Sequence, residues 1–188
     1  MAGWILLSLI AIAFLWIIVV YNGLVSLRNQ VQNAWKQIDV QLKRRHDLIP
    51  NLVATVKGAM EFEQDTLEKV ISARAKAVSA AGPHDKGVSE NMLTEALGKL
   101  FAVMENYPQL KSNENIMQLQ EELTSTENRI GFARQFYNDM VASYHIQQEI
   151  FPNNFVASLF KGFKKEEYYS AEEADRDVPK ADLSIRKK

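Results

Sequence analysis

IDVQLKRRHDLIPNLV, residues 38–53, interrupts an otherwise regular stripe of apolar residues with charges and a proline. The basic run at residues 43–45 would lie in the last turn of one helix, where cations favour the negative end of the helix dipole. Asp47 is a suitable N-cap for a following helix, and Pro50 would fall in its first turn, where a missing N–H costs little. These signals predict a helix boundary near His46. A kinked, continuous helix is the alternative, because no glycine marks a reversal.

The chain has four stripes of apolar residues with helical spacing, one before this interruption and three after it. The first stripe is narrow, as in a coiled coil. Gly82 and Pro83 should end the second stripe, Ser89 is a candidate N-cap for the third, and Pro152 should end the fourth. No segment alternates with period two. The sequence therefore predicts an all-α fold, with an N-terminal transmembrane helix followed by an up-and-down bundle of about four long helices. The stripes occupy residues 24–42, 49–78, 93–104 and 116–144.

The first 21 residues, MAGWILLSLIAIAFLWIIVVY, contain no charged side chain. A helix from Gly3 to Tyr21 would be about 28 Å long, which matches the hydrocarbon core of a bilayer. Trp4 lies near one end of this segment, and Trp16 and Tyr21 lie near the other, where amphipathic rings prefer the interface. No basic residue precedes the segment, and its one Ala-x-Ala motif lies inside the apolar run. Both features favour an uncleaved anchor over a signal peptide.

The charges around this segment predict its orientation. Arg28 and Lys36 follow the span closely, so the positive-inside rule favours a cytoplasmic body with the N-terminus outside. We divide the chain into a membrane anchor at 1–21, a helical bundle at 22–163 and a charged, flexible tail at 164–188, which is poor in large apolar residues.

Composition excludes several classes of function. The 188 residues carry a net charge of only -1, without the basic surplus that nucleic-acid binding requires. There are no cysteines, which removes disulfides, thiolate metal sites and cysteine nucleophiles. A di-iron bundle needs Glu-x-x-His motifs, and the sequence has none. His145 and Glu149 have metal-ligand spacing, but two ligands do not make a site. We therefore predict no catalytic, cofactor-binding or metal-binding residues.

Charged residues within the helical stripes are candidates for polar contacts between helices. Asp39 and Arg45 lie in the first amphipathic half, and Glu127 and Arg134 lie in the long last helix. If these helices pack side by side, Arg45 or Arg134 would meet Glu127 or Asp39 as a buried pair that fixes register. The alternative is that all four residues are on solvated helix faces.

A short apolar face follows Pro152 and is itself followed by lysines. Such a segment suits either of two tasks: it plugs the open end of the bundle, or it lies among lipid headgroups with its lysines near anionic lipid. The residues concerned are Phe155, Leu159, Phe160, Phe163, Lys164 and Lys165.

Three long blocks of the chain resemble the bacterial LemA family. They are YNGLVSLRNQVQNAWKQIDVQLKRRHDLIPNLV, ENMLTEALGKLFAVMENYPQLKSNENIMQLQEELTSTENRIGFARQFYNDMV and FPNNFVASLFKGF. The resemblance extends from the N-terminal span to about residue 179. It implies a single-pass protein of the bacterial inner (plasma) membrane, whose soluble part is an all-α, up-and-down bundle and whose short N-terminus is outside. Relatives in magnetosome-forming bacteria are associated with membrane shaping, so the resemblance implies a membrane-organising role.

Three hypotheses of function follow. The first is a non-enzymatic, membrane-anchored scaffold that organises or shapes a membrane, with the lipid bilayer and either a second copy or another membrane protein as partners. The second is an adaptor or sensor that presents the bundle to a protease, transporter or signalling protein. The third, an enzyme that uses His46, Asp47 and the neighbouring arginines, is disfavoured because no complete site can be assembled from the residue types available.

Overall fold

A computed structural model describes residues 1–60 and 63–170 of the chain. Those residues form six helices and no strand, which confirms the predicted all-α class. The helices are α1 (Ala2–Lys57), α2 (Gln64–Ser79), α3 (Pro83–Met104), α4 (Pro108–Lys111), α5 (Glu114–Glu149) and α6 (Asn153–Leu159).

The four longest helices run up and down. At 56 residues, α1 is about 84 Å long. α2 returns antiparallel to α1, so that Arg74 reaches the backbone of His46. α3 runs parallel to α1 again, and α5 packs antiparallel along α1, with Arg44 beside Glu122 and Trp35 beside Tyr137. The predicted up-and-down arrangement is therefore present.

The predicted helix boundary near His46 is wrong, because α1 continues without a break to Lys57 and contains Pro50 in its interior. A proline at this position lacks the N–H that would bond the carbonyl four residues earlier, which belongs to His46. Nε of Arg74 donates to that carbonyl at 2.7 Å instead. The arginine on α2 thus satisfies the group that the proline leaves free. Asp47, proposed as an N-cap, is an exposed residue inside α1.

The chain reverses later than predicted. α1 ends at Lys57 and α2 begins at Gln64, so the second apolar stripe is divided between two helices. Pro83 does not merely end a helix; it occupies the first turn of α3, where its missing N–H has no helical partner to lose. Ser89 is consequently not a cap. It lies buried within α3 and donates to the carbonyl of Asp85 at 2.8 Å.

Two separate hydrophobic cores lie along the bundle. The core nearer the apolar N-terminal segment, here called the proximal core, is built from α1 and α5 and is rich in aromatic residues. The distal core receives aliphatic residues from α1 to α5. The buried members of the proximal core are Val31, Ala34, Ile38, Leu42, Ile130, Tyr137, Val141, Tyr144 and Tyr169. Those of the distal core include Ile49, Leu52, Val56, Val70, Leu93, Leu97, Leu100, Ile116 and Leu123.

The first residues of the predicted flexible tail pack against the bundle instead. Over residues 164–170 the chain turns back along the bundle, and Tyr169 is buried in the proximal core. Burial of the Tyr169 ring is favourable despite the charged residues beside it in the sequence, because it removes a large hydrophobic surface from water. Residues 171–188 of the predicted tail lie outside the described residues.

Candidate functional site

A cluster of polar side chains, centred on the buried residues Arg45, His46 and Glu90, lies between the two cores and joins three helices. Arg45 on α1 donates from Nη1 to a carboxylate oxygen of Glu90 on α3 at 3.2 Å, and from Nη2 to the hydroxyl of Thr94 at 2.8 Å. The same Nη1 lies 2.8 Å from a carboxylate oxygen of Glu127 on α5. Nε2 of His46 lies 2.6 Å from the second oxygen of Glu90. Arg45 and Glu90 are only 3% and 2% exposed, so water does not screen this pair.

The buried pair of Arg45 and Glu90 disfavours other registers of α1 against α3. Sliding one helix past another by a turn would leave a charge buried without a partner, which costs several kcal/mol. Arg45 contacts Glu127, as one of the sequence alternatives predicted. Sequence reasoning did not identify Glu90 or His46 as parts of the same cluster. Each lies three residues before an apolar stripe begins, in phase with its buried face.

The other predicted polar residues have different partners. Asp39 forms an ion pair with Lys86 of α3, whose ammonium group also lies 5.4 Å from the ring centroid of Trp35. The guanidinium group of Arg134 lies over the ring of Tyr169 at 5.6 Å. Neither Asp39 nor Arg134 belongs to the buried cluster.

Within residues 1–60 and 63–170, no three histidine or acidic side chains are placed to hold a metal ion. His145 and Glu149, which have ligand spacing, face separate partners. Nε2 of His145 accepts a hydrogen bond from the backbone N–H of Glu166 at 3.2 Å, and Glu149 pairs with Lys165 at 2.5 Å.

A short C-terminal strap, residues 166–170, closes the proximal core. The side-chain amide of Asn138 on α5 makes two hydrogen bonds with the backbone of Tyr169. Its nitrogen donates to the carbonyl oxygen at 3.0 Å, and its oxygen accepts from the N–H at 2.9 Å. The hydroxyl of Tyr137 donates to the carbonyl of Glu167 at 2.7 Å. The ring of Tyr169 packs 6.2 Å from that of Trp35. These contacts hold the strap along α5.

The strap also passes close to α3. A Cβ atom added to Gly87 would lie 2.4 Å from the carbonyl oxygen of Ser170, so only glycine allows this approach. Burial raises the pKa of Tyr169 to about 12, and the negative charge of Glu90 adds to the shift. Burial likewise raises the pKa of Tyr137 to about 12, with further contributions from Glu166 and Glu167. Both phenols are therefore neutral at physiological pH.

An apolar patch lies on the outer surface of the proximal half, where α1 and α5 meet. Val40 on α1 is 63% exposed, and Phe132 and Phe136 on α5 are 74% and 44% exposed. The groove around them has a volume of about 560 Å³, and Lys36 and Arg129 lie at its rim. We call Val40, Phe132 and Phe136 the lateral patch.

The predicted anchor and short C-terminal helix meet at one end of the bundle. The apolar N-terminal part of α1 has no buried residue over a stretch of 18 residues, and it is long and apolar enough to cross a membrane. Tyr21 contacts the rings of Phe160 and Phe163 at 4.8 and 5.5 Å, whereas Trp4 is 80% exposed at the other end of the span. Trp16 is partly buried. Phe163 packs against the proximal core, as a plug would.

The remaining residues of the predicted C-terminal segment are outside the core. Phe155 and Leu159 on α6 are exposed, and so are Phe160, Lys164 and Lys165. The structure thus divides the segment: one side closes the end of the bundle, and the other side is open.

Comparison with known proteins identifies the family. The sequence pattern of the LemA family matches residues 34–183, which is most of the chain. Two proteins of Paramagnetospirillum magneticum, magnetosome proteins MamQ 1 and MamQ 2, are each 26% identical to it, over 85% of this chain and 67% of the relative. Protein LemA of Metamycoplasma hominis is 25% identical, over 86% of this chain and 74% of the relative. None of these names denotes an enzymatic activity. The family match, which includes α1 from residue 34 onward and all of α2 to α6, shows that this chain belongs to the LemA family.

Proposed function

We propose that this protein is a non-enzymatic, membrane-anchored helical scaffold that organises or shapes a bacterial membrane through self-association or by recruiting another membrane protein. The observation that carries the proposal is the continuity of α1. One helix contains the segment that is long and apolar enough to cross a bilayer and also one side of both cores. A helix without a flexible joint would hold the bundle, and anything bound to it, at a fixed distance from the lipid.

The lateral patch is the contact surface that we propose for a second copy. Val40 lies 19 residues beyond Tyr21, which places the patch about 28 Å along α1 from the end of the span. Exposed apolar side chains that adjoin one another in this way are typical of protein contact sites. Two anchored copies meeting at this height would be parallel neighbours in the same membrane.

The similarity to proteins named for the magnetosome supports a structural role, as does the position of the buried Arg45–Glu90 pair between α1 and α3. We place the protein in the inner (plasma) membrane with the bundle in the cytoplasm, because Arg28 and Lys36 follow the span. The chain lacks cysteine, so a Lys99→Cys variant offers a single thiol on the exposed surface of α3. A membrane-impermeant maleimide should label it only after the inner membrane is opened, and labelling of intact spheroplasts would reverse the proposed orientation.

Self-association is tested with purified full-length protein in liposomes. Fluorescently labelled protein is counted by single-molecule photobleaching, and the vesicles are imaged by electron cryomicroscopy. We expect oligomers and a change in vesicle shape. Monomers in unchanged vesicles would contradict scaffolding by self-association. If such monomers crosslink to a different protein in the native membrane, the adaptor hypothesis would replace the scaffold.

A matched pair of variants locates the contact. Phe132→Arg places a charge in the lateral patch, and we expect monomers with unchanged helicity, because burying an unpaired charge at an interface is unfavourable. Ile71→Arg is the control, since Ile71 is also an exposed apolar side chain but lies on α2, away from the patch. If both variants remain oligomeric, the lateral patch is not the interface.

A further inference from the structure

α6 is held at the level where α1 leaves its apolar segment. The ring contacts of Tyr21 with Phe160 and Phe163 fix one side of this junction. Nη1 of Arg28 donates to the carbonyl of Gly162 at 3.3 Å, and its guanidinium group lies 5.9 Å from the ring of Phe163. The segment that follows α6 is therefore tied to α1 within about two turns of the end of the proposed span.

The side of α6 that faces away from the bundle is apolar. Phe151, Phe155 and Leu159 are 77%, 63% and 70% exposed, while Val156 on the opposite side is 2% exposed. Residues 155 and 159 lie one turn apart on the helix, and the rings of Phe151 and Phe155 are 5.9 Å apart. These three side chains form one continuous surface, here called the α6 face.

The segment that carries the α6 face is positively charged between residues 150 and 165, although Glu149 and Glu166 border it directly. Residues 150–165 contain three lysines and no acidic residue. Lys165 pairs with Glu149 on α5. Lys161 and Lys164 are exposed beside the apolar surface. An apolar face flanked by lysines is the pattern of a segment that lies in the interface of an anionic membrane.

We infer that the α6 face inserts into the headgroup and upper acyl region of the bilayer that α1 spans, with Lys161 and Lys164 beside anionic phospholipid. The inference rests on the membrane anchor in the proposed function. A helix of seven residues is a weak anchor by itself, but α1 already holds it at the interface, so the effective concentration of lipid is high. The bundle would then contact the bilayer at two points, which fixes its tilt. It would also add apolar volume to one leaflet only, which is a direct way to bend a membrane.

The test uses full-length protein with single cysteines that carry an environment-sensitive dye. Phe155→Cys reports on the α6 face, Leu15→Cys on the proposed span, and Met117→Cys on the far end of α5. The protein is placed in vesicles of phosphatidylethanolamine and phosphatidylglycerol, with or without lipids that carry a quenching nitroxide on the acyl chain. We expect blue-shifted, quenched emission at positions 15 and 155 and neither effect at 117. Replacing phosphatidylglycerol by phosphatidylcholine should weaken quenching at 155 but not at 15.

The outcomes separate the two proposals. Quenching at 15 without quenching at 155 would overturn the α6 inference and leave the anchor in place. Absence of quenching at 15 would remove the anchor and the inference together. A blue shift at 155 without quenching would show that protein, not lipid, covers the α6 face. Quenching at 155 that is indifferent to lipid charge would overturn the role of the lysines.

Discussion

The two cores differ in how many helices enclose them. Around the distal core, α1, α2, α3 and α5 form a complete bundle, and its aliphatic residues are covered on all sides. The proximal core is built from α1 and α5 alone among the helices. The C-terminal strap adds Tyr169 to this core in place of a further helix. The proximal half is therefore thinner and more aromatic, and it carries both exposed surfaces to which we assign contacts. Most of the buried aliphatic residues are in the distal half, whereas contact with lipid and partners is assigned to the proximal half.

The largest expected effect comes from breaking the buried cluster that separates the two cores. Glu90→Ala removes the buried carboxylate that Arg45 and His46 share, and we expect a loss of about 3–5 kcal/mol in the free energy of unfolding. Urea denaturation followed by circular dichroism measures this loss. Glu95→Ala is the control, because Glu95 lies on the same helix but pairs with Lys99 in solvent. Equal, small effects of the two substitutions would show that the cluster does not join the two halves.

Removal of the strap's aromatic ring should weaken the proximal core selectively. Tyr169→Ala deletes a buried ring and is expected to cost about 3 kcal/mol. Tyr169→Phe should cost little, because the buried hydroxyl oxygen has no hydrogen-bond partner within the described residues. Hydrogen exchange resolves the location: amides of residues 31–42 and 130–144 should lose protection in Tyr169→Ala, whereas those of α2 and α3 should not. Uniform loss over the whole bundle would mean that the two cores unfold as one unit.

Pro50 and Arg74 test why α1 is continuous. Arg74→Ala leaves the carbonyl of His46 without its donor and should cost about 1–2 kcal/mol. Pro50→Ala restores the helical N–H, so the same Arg74→Ala substitution should cost much less in that background. A double-mutant cycle measured by thermal unfolding gives this coupling. Additive effects would mean that the arginine does not compensate for the proline.

The smallest expected effects come from two glycines on α3. Gly98→Ala has open space around it and should stabilise the protein by about 0.5–1 kcal/mol, since alanine favours the helix. Gly87→Ala should instead destabilise it by about 1 kcal/mol, because the new methyl group displaces the strap. Thermal unfolding of both variants checks the sign of each change. Stabilisation by both would show that the strap does not approach α3 closely.

Regular apolar spacing allowed the helical class and the up-and-down arrangement to be predicted. The pairing of Arg45 with Glu127 was one of several alternatives that the sequence left open, beside solvated helix faces, and the structure selects it. These inferences depend on local periodicity, which the sequence displays directly.

Other features depend on partners that are distant along the chain. The local signals around Pro50 favoured a boundary, and only Arg74, 28 residues from His46, makes the continuous helix acceptable. Tyr169 lies among charged residues that are typical of a mobile tail, and its burial requires Asn138 and Gly87. The sequence around Gly87 and Asn138 gives no local sign of this contact, because the strap is far along the chain from Gly87.

The continuity of α1 through residue 50 is the central claim, and a distance measurement across Pro50 tests it most directly. Spin labels at Lys36→Cys and Ala54→Cys, both exposed and five helical turns apart, are measured by double electron–electron resonance in nanodiscs. A continuous helix predicts one narrow distribution centred near about 27 Å between the backbone positions. A broad distribution, or one centred well below about 20 Å as a reversal near His46 would require, would contradict the account.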